Sequence, residues 1–456
     1  MAKITLKPEH FFSGIATGHF TEDGLFQRDY TKGIDLFNTE AKFGLLKAGN
    51  AGTDKTGSVV KDTIKYFVKY GSRYYGYGDD GYLYEVNSAF AVSILDSGNE
   101  GTRNGSQGLA VYNQGGTNYL FYFHETDFGR ADWAGQQTPQ TFDDDYGSTV
   151  PSGAGALTSA LHPSVEFQGI LYICNGGTIA SLNNTTLNLS ALTLPTGYTA
   201  QDIDVYETYV VILATKGTQS ILIFWNTFLP TQWQYEYYIK ELCYSLEKYN
   251  NDLAIFGTHV MLFEGGAFRV IDRITSTTVY PGQTAFHDGM LWWQDYGIIM
   301  TYGSPSDRLS AGVLAPLTNA GEKGAIFPAY SYSSTFLVSR NDDKLLVYSG
   351  GAGAGQAKTR NISLDSLAHI RYVQVITTKL ATNDGVAVQI IGDKSTLLET
   401  TITYTSNGAR TVHELKPKPE LTNDVVLYFD FTDYTSGVLS IKKIIIDYEP
   451  TEAKSG

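Results

Sequence analysis

"GQTAFHDGMLWWQDYGIIMTYG", residues 282–303, carries apolar residues that neither alternate as in a half-exposed strand nor recur with the period of an amphipathic helix. Within it, Asp288-Gly289 is typical of a two-residue hairpin turn, because a type I′ turn needs positive φ at both central positions. The turns predict three antiparallel strands, at Thr284–His287, Met290–Trp293 and Ile298–Tyr302. Both faces of these strands are apolar, so other sheets must cover both faces.

The composition of the whole chain favours strands over helices. Of 456 residues, 42% are hydrophobic and 13% aromatic, with 32 Tyr, 23 Phe and 47 Gly. Aromatic and β-branched residues are typical of strands, and Gly is typical of turns. Residues 235–249 are the best candidate for a helix. The length suffices for a repeat array followed by a small domain.

The formal net charge is −14, which argues against nucleic-acid recognition and against anionic membrane surfaces, since both need clustered Lys and Arg. No apolar run approaches the ~18 residues of a membrane helix, so no membrane insertion is expected. Met1–Thr5 lacks the apolar segment of a signal peptide. Cys174 and Cys243 lie in apolar, strand-like contexts, which favours buried free thiols over a disulfide or a metal site.

Six further meanders are similar to the opening one. The first turns of all seven lie near residues 71, 115, 169, 207, 257, 289 and 333. Their average spacing of roughly 44 residues falls inside the ~40–50 residues of a four-stranded propeller blade. Because radial packing covers both faces of each blade, we predict an all-β chain with a β-propeller of six to eight blades, and we expect Trp292 and Trp293 to lie between neighbouring blades. A stack of unrelated β-sandwiches is the alternative.

The domain boundaries follow from changes in this pattern. Residues 1–55 are predicted to be an N-terminal arm that supplies the closure strand, around Leu25-Phe26 or Ile34–Phe37, and residues 56–349 the β-propeller. Residues 350–360 begin with the run GGAGAG and are interpreted as a Gly-rich linker, since they fit neither a phosphate-loop nor a dinucleotide spacing. The alternating strands in residues 361–456 predict a small C-terminal β-sandwich.

Candidate catalytic residues are few. His124–Asp127 is the densest group of metal-ligand types, but on a strand its side chains would point to different faces, so no metal site is predicted. A glycosidase needs two carboxylates across a cleft, and the candidates near inner strands are Glu166, Asp204, Asp252 and Asp288. Asp252 and Asp288 also have plain turn roles. The sequence therefore predicts no catalytic residues, no cofactor and no enzyme.

Two aromatic loop stretches, residues 128–133 and 225–238, are the best candidates for a binding surface. Exposed Trp and Tyr favour protein interfaces or sugar stacking. From these stretches the candidate interface residues are Trp133, Phe228, Trp233, Tyr235 and Tyr237. Packing of the rings beneath their own loops is the alternative interpretation.

Residues 207–233, ETYVVILATKGTQSILIFWNTFLPTQW, resemble a recurring piece of tailed-bacteriophage virion propeller proteins. In that piece a strand pair is followed by an aromatic-Ser/Asn-x-x-x-x-Pro-x-x-Trp motif. Trp225, Asn226, Pro230 and Trp233 match the motif, and Asn226 stands where Ser is usual. Residues 279–303 are similar to a second piece of these proteins, and the layout of residues 20–450 is similar to that of tail hub or nozzle proteins.

The resemblance implies a structural virion protein of a tailed bacteriophage, assembled in the host cytoplasm and located in the tail. It implies a homo-oligomeric ring, with a hexamer favoured, that contacts other tail proteins and lets DNA pass without sequence recognition. An acidic wall would repel DNA and let it slide. Two alternatives are a propeller that binds or cleaves a host-surface glycan and a capsid decoration protein.

Overall fold

The computed structural model describes residues 2–7, 11, 15–16, 25–27, 34–35, 46–48, 52–55, 59–96, 105–136, 138–158, 160–274, 279–287, 289–295, 298–303, 308–314, 323–328, 336–340, 344–348, 355–378, 380, 384–403, 411–433 and 439–451. These residues form strands joined by turns, with a short helix α1 at Tyr146–Thr149.

The N-terminal strands are β1 (Ala2–Leu6), β2 (Ile15–Ala16), β3 (Phe26–Gln27), β4 (Ile34–Asp35), β5 (Leu46–Ala48) and β6 (Gly52–Asp54). Blade one consists of β7 (Ile64–Tyr70), β8 (Arg73–Gly78), β9 (Leu83–Val86) and β10 (Val92–Asp96). Blade two consists of β11 (Gly108–Gln114), β12 (Thr117–His124), β13 (Asp127–Asp132) and β14 (Thr141–Asp143). Blade three consists of β15 (Ser164–Phe167), β16 (Ile170–Asn175), β17 (Thr178–Asn183) and β18 (Thr186–Thr193).

Blade four consists of β19 (Thr199–Tyr206), β20 (Tyr209–Lys216), β21 (Gln219–Trp225) and β22 (Tyr235–Ile239). Blade five consists of β23 (Ser245–Tyr249), β24 (Asp252–Phe256), β25 (His259–Glu264) and β26 (Ala267–Arg273). Blade six consists of β27 (Thr284–His287), β28 (Met290–Asp295), β29 (Ile298–Gly303) and β30 (Arg308–Leu314). Blade seven consists of β31 (Lys323–Pro328), β32 (Phe336–Arg340) and β33 (Lys344–Tyr348), completed by β6.

The blades form a closed ring. The first strand of each blade contacts the first strand of the next, and β31 of blade seven contacts β7 of blade one. This arrangement confirms the predicted β-propeller and gives it seven four-stranded blades. Each inner strand therefore faces the central axis of the ring, and the fourth strand of each blade lies at the periphery.

The strand that closes the ring is β6, which pairs with β33 through Asp54↔Leu346, Thr53↔Val347 and Gly52↔Tyr348. This strand lies within residues 1–55, the arm that was predicted to close the ring, but neither of the two segments named for that role supplies it. Phe26 belongs to β3, which pairs with β2, and Ile34 belongs to β4, which pairs with β5. Closure is a pairing between residues almost 300 positions apart, as the register Thr53↔Val347 shows, and short strands in the N-terminal arm carry no local signal of their partner.

The opening stretch forms β27, β28 and β29, as predicted, with Asp288, Tyr296 and Gly297 outside the described residues. Trp292 and Trp293 are buried. The ring of Trp293 lies 6.1 Å from that of Phe256 in blade five. The prediction that this tryptophan fills the space between two blades is confirmed.

The helix suggested at residues 235–249 does not form. This segment contains β22, the last strand of blade four, and β23, the first strand of blade five. The turn near residue 257 is consequently the second turn of blade five and not its first, because β24 and β25 flank it. Apolar residues in a short strand, a turn and a second strand mimic a helical period when they are read as one segment.

The C-terminal strands are β34 (Gly355–Lys358), β35 (Ile362–Thr377), β36 (Gly385–Gly392), β37 (Thr396–Thr403), β38 (Val412–Leu415), β39 (Leu421–Asp433) and β40 (Ser440–Pro450). The long strands β35 and β39 pair with each other and each also pairs with further strands on both edges. Buried residues alternate along β36 and β39, and they join those of β35 and β40 in one apolar cluster. Together with β1, β4 and β5 these strands make up one ten-stranded sheet with a buried core, in the region where the small β-sandwich was predicted. We call this sheet and its core the sandwich.

Two boundaries of the sandwich differ from those predicted. Within the predicted linker, residues 355–358 are strand β34, which pairs with β39, whereas residues 350–354 lie outside the described ranges. The N-terminal strands β1 and β5 pair with β40, and β4 pairs with β5. The sandwich thus recruits both ends of the chain. Its core cluster continues into blades five to seven, so the sandwich packs against the propeller.

Candidate functional site

The exposed apolar surface of the protein is concentrated on blade four. Nine large hydrophobic residues are exposed among the described ranges, and four of them lie within residues 228–238: Phe228, Leu229, Tyr235 and Tyr238. Phe228 is the most exposed of all, at 81%. We call residues 226–234, which connect β21 to β22, the blade-four loop. Several large apolar side chains exposed within one short segment are more than the scattered single residues of an ordinary surface, so we consider this segment a candidate interaction site.

The blade-four loop is held by hydrogen bonds from its own residues. The buried indole Nε1 of Trp225 donates to the carbonyl oxygen of Leu229 at 2.7 Å. The Asn226 Oδ1 accepts the amide of Phe228 at 3.2 Å, which forms an Asx turn. The amide of Asn226 in turn donates to Oε1 of Gln234 at 2.7 Å. These contacts fix the loop at both ends.

The loop is also anchored to blade three. The carbonyl oxygen of Pro230 accepts the amide of Thr193 in β18 at 3.0 Å. The Trp225 ring meets Tyr172 of β16 edge-on, with centroids 5.4 Å apart. The four residues of the sequence motif thus build the loop, whereas Phe228 and Leu229 are the residues that the loop displays. A rigid loop holds these two apolar side chains in water.

Glu236 organises the rest of this surface. Its carboxylate accepts the indole Nε1–H of Trp233 at 2.8 Å and the hydroxyl of Tyr238 at 3.1 Å. On the opposite face of β22, Tyr235 packs against Tyr209 with centroids 5.9 Å apart. Phe228, Leu229, Trp233, Tyr235, Glu236 and Tyr238 together constitute the blade-four surface.

Three of the five predicted interface residues are wholly or partly buried. Trp233 is half-buried and packs against the apolar core that blades three and four share. Trp133 is 4% exposed, and its Nε1 donates to the hydroxyl of Tyr75 at 3.0 Å in the seam between blades one and two. Tyr237 is half-buried, and its ring lies 4.6 Å from Phe263 in the seam between blades four and five. Including Trp133 was therefore wrong, because the ring belongs to the core.

A second feature is a central cavity of about 240 Å³. The inner strands of six blades, together with the residues just before them, supply its walls: Tyr66, Phe67, Leu109, Pro163, Ser164, Asp202, Ile203, Asp204, Leu246, Glu247, Pro281, Gly282 and Thr284. The cavity thus lies at the axis of the ring, where blades converge. Its acidic residues are Asp202, Asp204 and Glu247.

These carboxylates link neighbouring blades. Asp202 of blade four accepts the Leu246 amide at 2.7 Å and the Ser245 hydroxyl at 3.2 Å, both from blade five. Glu247 of blade five accepts the Thr284 hydroxyl of blade six at 3.2 Å. A carboxyl group from one blade therefore satisfies polar groups of the next, at two successive seams.

Burial in the centre of the ring raises the pKa of all three groups, because removal from water disfavours the charged form. The pKa of Asp202 is raised to about 8, that of Glu247 to about 8 and that of Asp204 to about 6. The proximity of the acids adds to the effect, since Asp204 raises the pKa of both Asp202 and Glu247. All three carboxyls of the cavity therefore hold a proton to higher pH than free carboxyls do.

The structure brings one of the four predicted carboxylates to this cavity. Asp204 lines it, but Glu166 is exposed on β15 and Asp252 lies at the turn between β23 and β24. Asp288 lies outside the described residues. The sequence reasoning missed Asp202 and Glu247. The spacing of Asp202 and Asp204 could have indicated that both carboxylates lie on the cavity side, because residues two apart on a strand share a face.

The remaining sequence predictions concern metals and cysteines. Within the described ranges, no three His, Cys, Asp or Glu side chains come together as a metal site. His124 lies at the end of β12, where its Nε2 is 3.1 Å from the carbonyl oxygen of Asp144. Cys174 and Cys243 are buried free thiols, as expected. Among the residues that the structure describes, no helix has the length and apolar character to span a membrane.

No protein-family model and no curated protein matches the chain. Among solved structures, the computationally designed Ika8 protein aligns with a TM-score of 0.41 and 10% identity, over 66% of this chain and 98% of its own. An exo-β-1,3-galactanase from Phanerochaete chrysosporium aligns with a TM-score of 0.34 and 12% identity, over 88% of this chain and 99% of its own. PorZ, a surface component of the type-IX secretion system of Porphyromonas gingivalis, aligns with a TM-score of 0.43 and 12% identity, over 69% of this chain and 40% of its own. Identities this low do not carry a function from one protein to another.

Proposed function

We propose that the protein is a structural subunit of a tailed-bacteriophage tail, where it forms a ring and attaches other tail proteins through the blade-four surface. The observation that carries the proposal is the rigid loop that displays Phe228 and Leu229 in water. Fixing apolar side chains in an exposed position has a hydration cost, which burial against a partner removes. Aromatic anchors of this kind dominate the binding energy of protein interfaces.

Two further features support this assignment. The motif residues that resemble phage propeller proteins are Trp225, Asn226, Pro230 and Trp233, and each of them has a contact in or beside the blade-four loop. A propeller also suits a stiff support for a particle, because its blades close into a ring in which each blade packs against the next. The net charge of −14 suits a wall along which DNA slides.

The test combines electron microscopy with light scattering of the purified chain and of particles that contain it. We expect rings of several copies, with a hexamer favoured, and copies in the tail of each particle. A chain that remains monomeric at all concentrations, and that occurs in no particle, would refute the proposal. Copies spread over the capsid would favour a decoration protein instead.

The carboxylates of the central cavity favour a second candidate, a propeller that binds or cleaves a host-surface glycan. Glycoside hydrolysis uses two carboxyls, of which the general acid has a raised pKa. Glu247 and Asp204 both line the cavity, and desolvation raises the pKa of both groups, more strongly for Glu247. The cavity also offers hydroxyl groups, from Ser164 and Thr284, that can bond to sugar.

A glycan array and a reducing-sugar assay test this second candidate. If it is correct, Asp204→Asn and Glu247→Gln abolish sugar release, whereas Glu166→Gln, which changes an exposed carboxylate of β15, has no effect. The absence of both binding and release in the wild-type chain would eliminate the candidate.

A further inference from the structure

The peripheral strand of each blade presents one edge to the outside. An open, flat edge with unpaired backbone groups is a template for another strand, and proteins normally protect such edges by bulges or by making them short. The seven peripheral strands are β10, β14, β18, β22, β26, β30 and β6.

Six of these seven strands are protected in one of the two ways. β10, β18, β26 and β30 have register shifts in their pairing with the preceding strand. β14 and β6 are three residues long. β22 has five residues, and its pairing runs without a shift from Ser220↔Ile239 to Phe224↔Tyr235. β22 is therefore the exception among the peripheral strands.

The sequence of β22, YEYYI, also lacks the Lys and Pro residues that discourage pairing at an edge. Tyr235, Glu236 and Tyr238 are exposed along it. The blade-four loop, which carries the exposed Phe228 and Leu229, leads directly into the start of this strand. Exposed Tyr side chains along an edge without a register shift, preceded by a loop with exposed apolar side chains, suit an extended segment whose side chains alternate between the two faces.

The negative charge of Glu236 determines which kind of strand can pair with the edge of β22. Glu236 lies at its centre, and its carboxylate already accepts two hydrogen bonds while it remains exposed. Antiparallel pairing with β22 of a second copy would bring two Glu236 carboxylates close together, which opposes self-pairing at this edge. A cationic side chain opposite Glu236 is the complementary choice.

We propose that the open edge of β22 accepts an extended strand from a different protein, with Lys or Arg opposite Glu236 and an apolar side chain against Phe228 and Leu229. This inference rests on the proposed assembly function and specifies how the partner binds. Backbone hydrogen bonds along β22 supply affinity, and the two side-chain contacts supply the register.

The probes are two labelled synthetic peptides of alternating Val and Thr that differ only in a central Arg or Glu. Their binding to the full chain is measured by fluorescence anisotropy at low salt. The variants are Phe228→Ser and Glu236→Lys. The matched control is Tyr280→Ser, which removes an exposed aromatic residue that packs on Tyr244 and lies outside this surface.

We expect the Arg peptide to bind roughly five-fold more tightly than the Glu peptide, with the preference lost as salt is raised. Glu236→Lys should reverse the preference, Phe228→Ser should weaken the binding of both peptides, and Tyr280→Ser should change neither. Equal binding of the two peptides, no binding of either, or binding that survives Phe228→Ser would overturn the inference.

The incorporation of variants into particles separates this inference from the proposed function. If neither peptide binds but Phe228→Ser excludes the chain from tails, strand addition is wrong and the assembly function stands. If the peptides bind as expected but the wild-type chain enters no assembly, the edge is a binding site and the assembly function is wrong.

Discussion

Phe228 exposes 81% of its surface although the residues around it are fixed by hydrogen bonds. We predict that Phe228→Ser leaves the stability of the chain within about 0.5 kcal/mol of the wild type, because an exposed ring contributes little to folding. The same substitution should exclude the chain from its assembly. Thermal unfolding and particle incorporation measure the two effects, and a variant that assembles normally would contradict the role of this residue.

Trp225 and Trp233 test how the loop is held. Trp225→Phe removes the N–H donor for the Leu229 carbonyl from a buried ring, and we expect a loss of about 1 kcal/mol in unfolding free energy. Trp233→Phe removes a bond to the exposed Glu236 and should cost less than about 0.5 kcal/mol. Urea unfolding of both variants checks the difference. Equal effects would mean that the Trp225 bond does not hold the loop.

For single residues, burial could be predicted from the sequence only where the neighbouring residues show a clear pattern. Trp293 lies on a strand that is apolar on both faces, so its burial was predictable. Trp133 follows a strand in a Gly- and Asp-containing loop, which looks exposed, yet Tyr70 and Tyr75 cover it from blade one. No feature near Trp133 in the sequence identifies partners about 60 residues away.

Among the elements, β6 has the largest role for its size, because three residues close the ring. We predict that the double substitution Thr53→Cys with Val347→Cys, at directly paired positions, forms a disulfide that raises the unfolding midpoint. The chain-entropy estimate for so long a loop is an upper limit of about 5 kcal/mol. The native thiols are buried, so they should not compete.

Unfolding of this double variant is measured with and without reductant. Stabilisation should vanish when the disulfide is reduced, which makes the reduced protein its own control. A disulfide that forms without changing the oxidised protein's midpoint would show that the closure strand does not limit unfolding.

Most meanders between residues 64 and 303, apart from the start of blade five, were predictable because each strand pairs with its neighbour in the sequence and glycine turns mark the boundaries. Gln168 and Gly169, for example, have φ values of 53° and 77°, as a type I′ turn requires. The partners of β1, β5 and β6 were not predictable, since these short strands pair with the C-terminal part of the chain. Their register is set by the tertiary fold alone.

Considered as a whole, the molecule has an acidic centre that couples its stability to pH. The pKa of Glu247 is about 8 in the folded protein and 4.5 as its ordinary value, so the folded state retains a proton that the unfolded chain releases between these values. Stability from this group is therefore complete below about pH 4 and is lost as the pH rises through about 8. Asp202 acts in the same direction, with a folded pKa of about 8.

We predict that Glu247→Gln lessens the decline in stability between about pH 5 and about pH 9, because the amide cannot ionise and can still accept the Thr284 hydrogen bond. Urea midpoints of the wild type and the variant across this range provide the measurement. Identical slopes in the two proteins would show that Glu247 does not hold its proton in the folded state.

The candidate sites were predictable to different extents. The blade-four surface is local in sequence, so residues 225–238 could be selected from aromatic content alone. The central cavity draws its walls from six blades, and Glu247 carries no signal within its own strand that Asp202 and Asp204 will lie near it. Only the ring geometry assembles that site.

Native mass spectrometry of the purified chain and of particles that contain it, with Phe228→Ser beside the wild type, tests the central claim most directly. We predict multiple copies of the wild type bound to at least one other protein, and a folded Phe228→Ser chain that is absent from the particle. A wild-type chain found as a monomer without partners, or a Phe228→Ser chain incorporated as efficiently as the wild type, would contradict it.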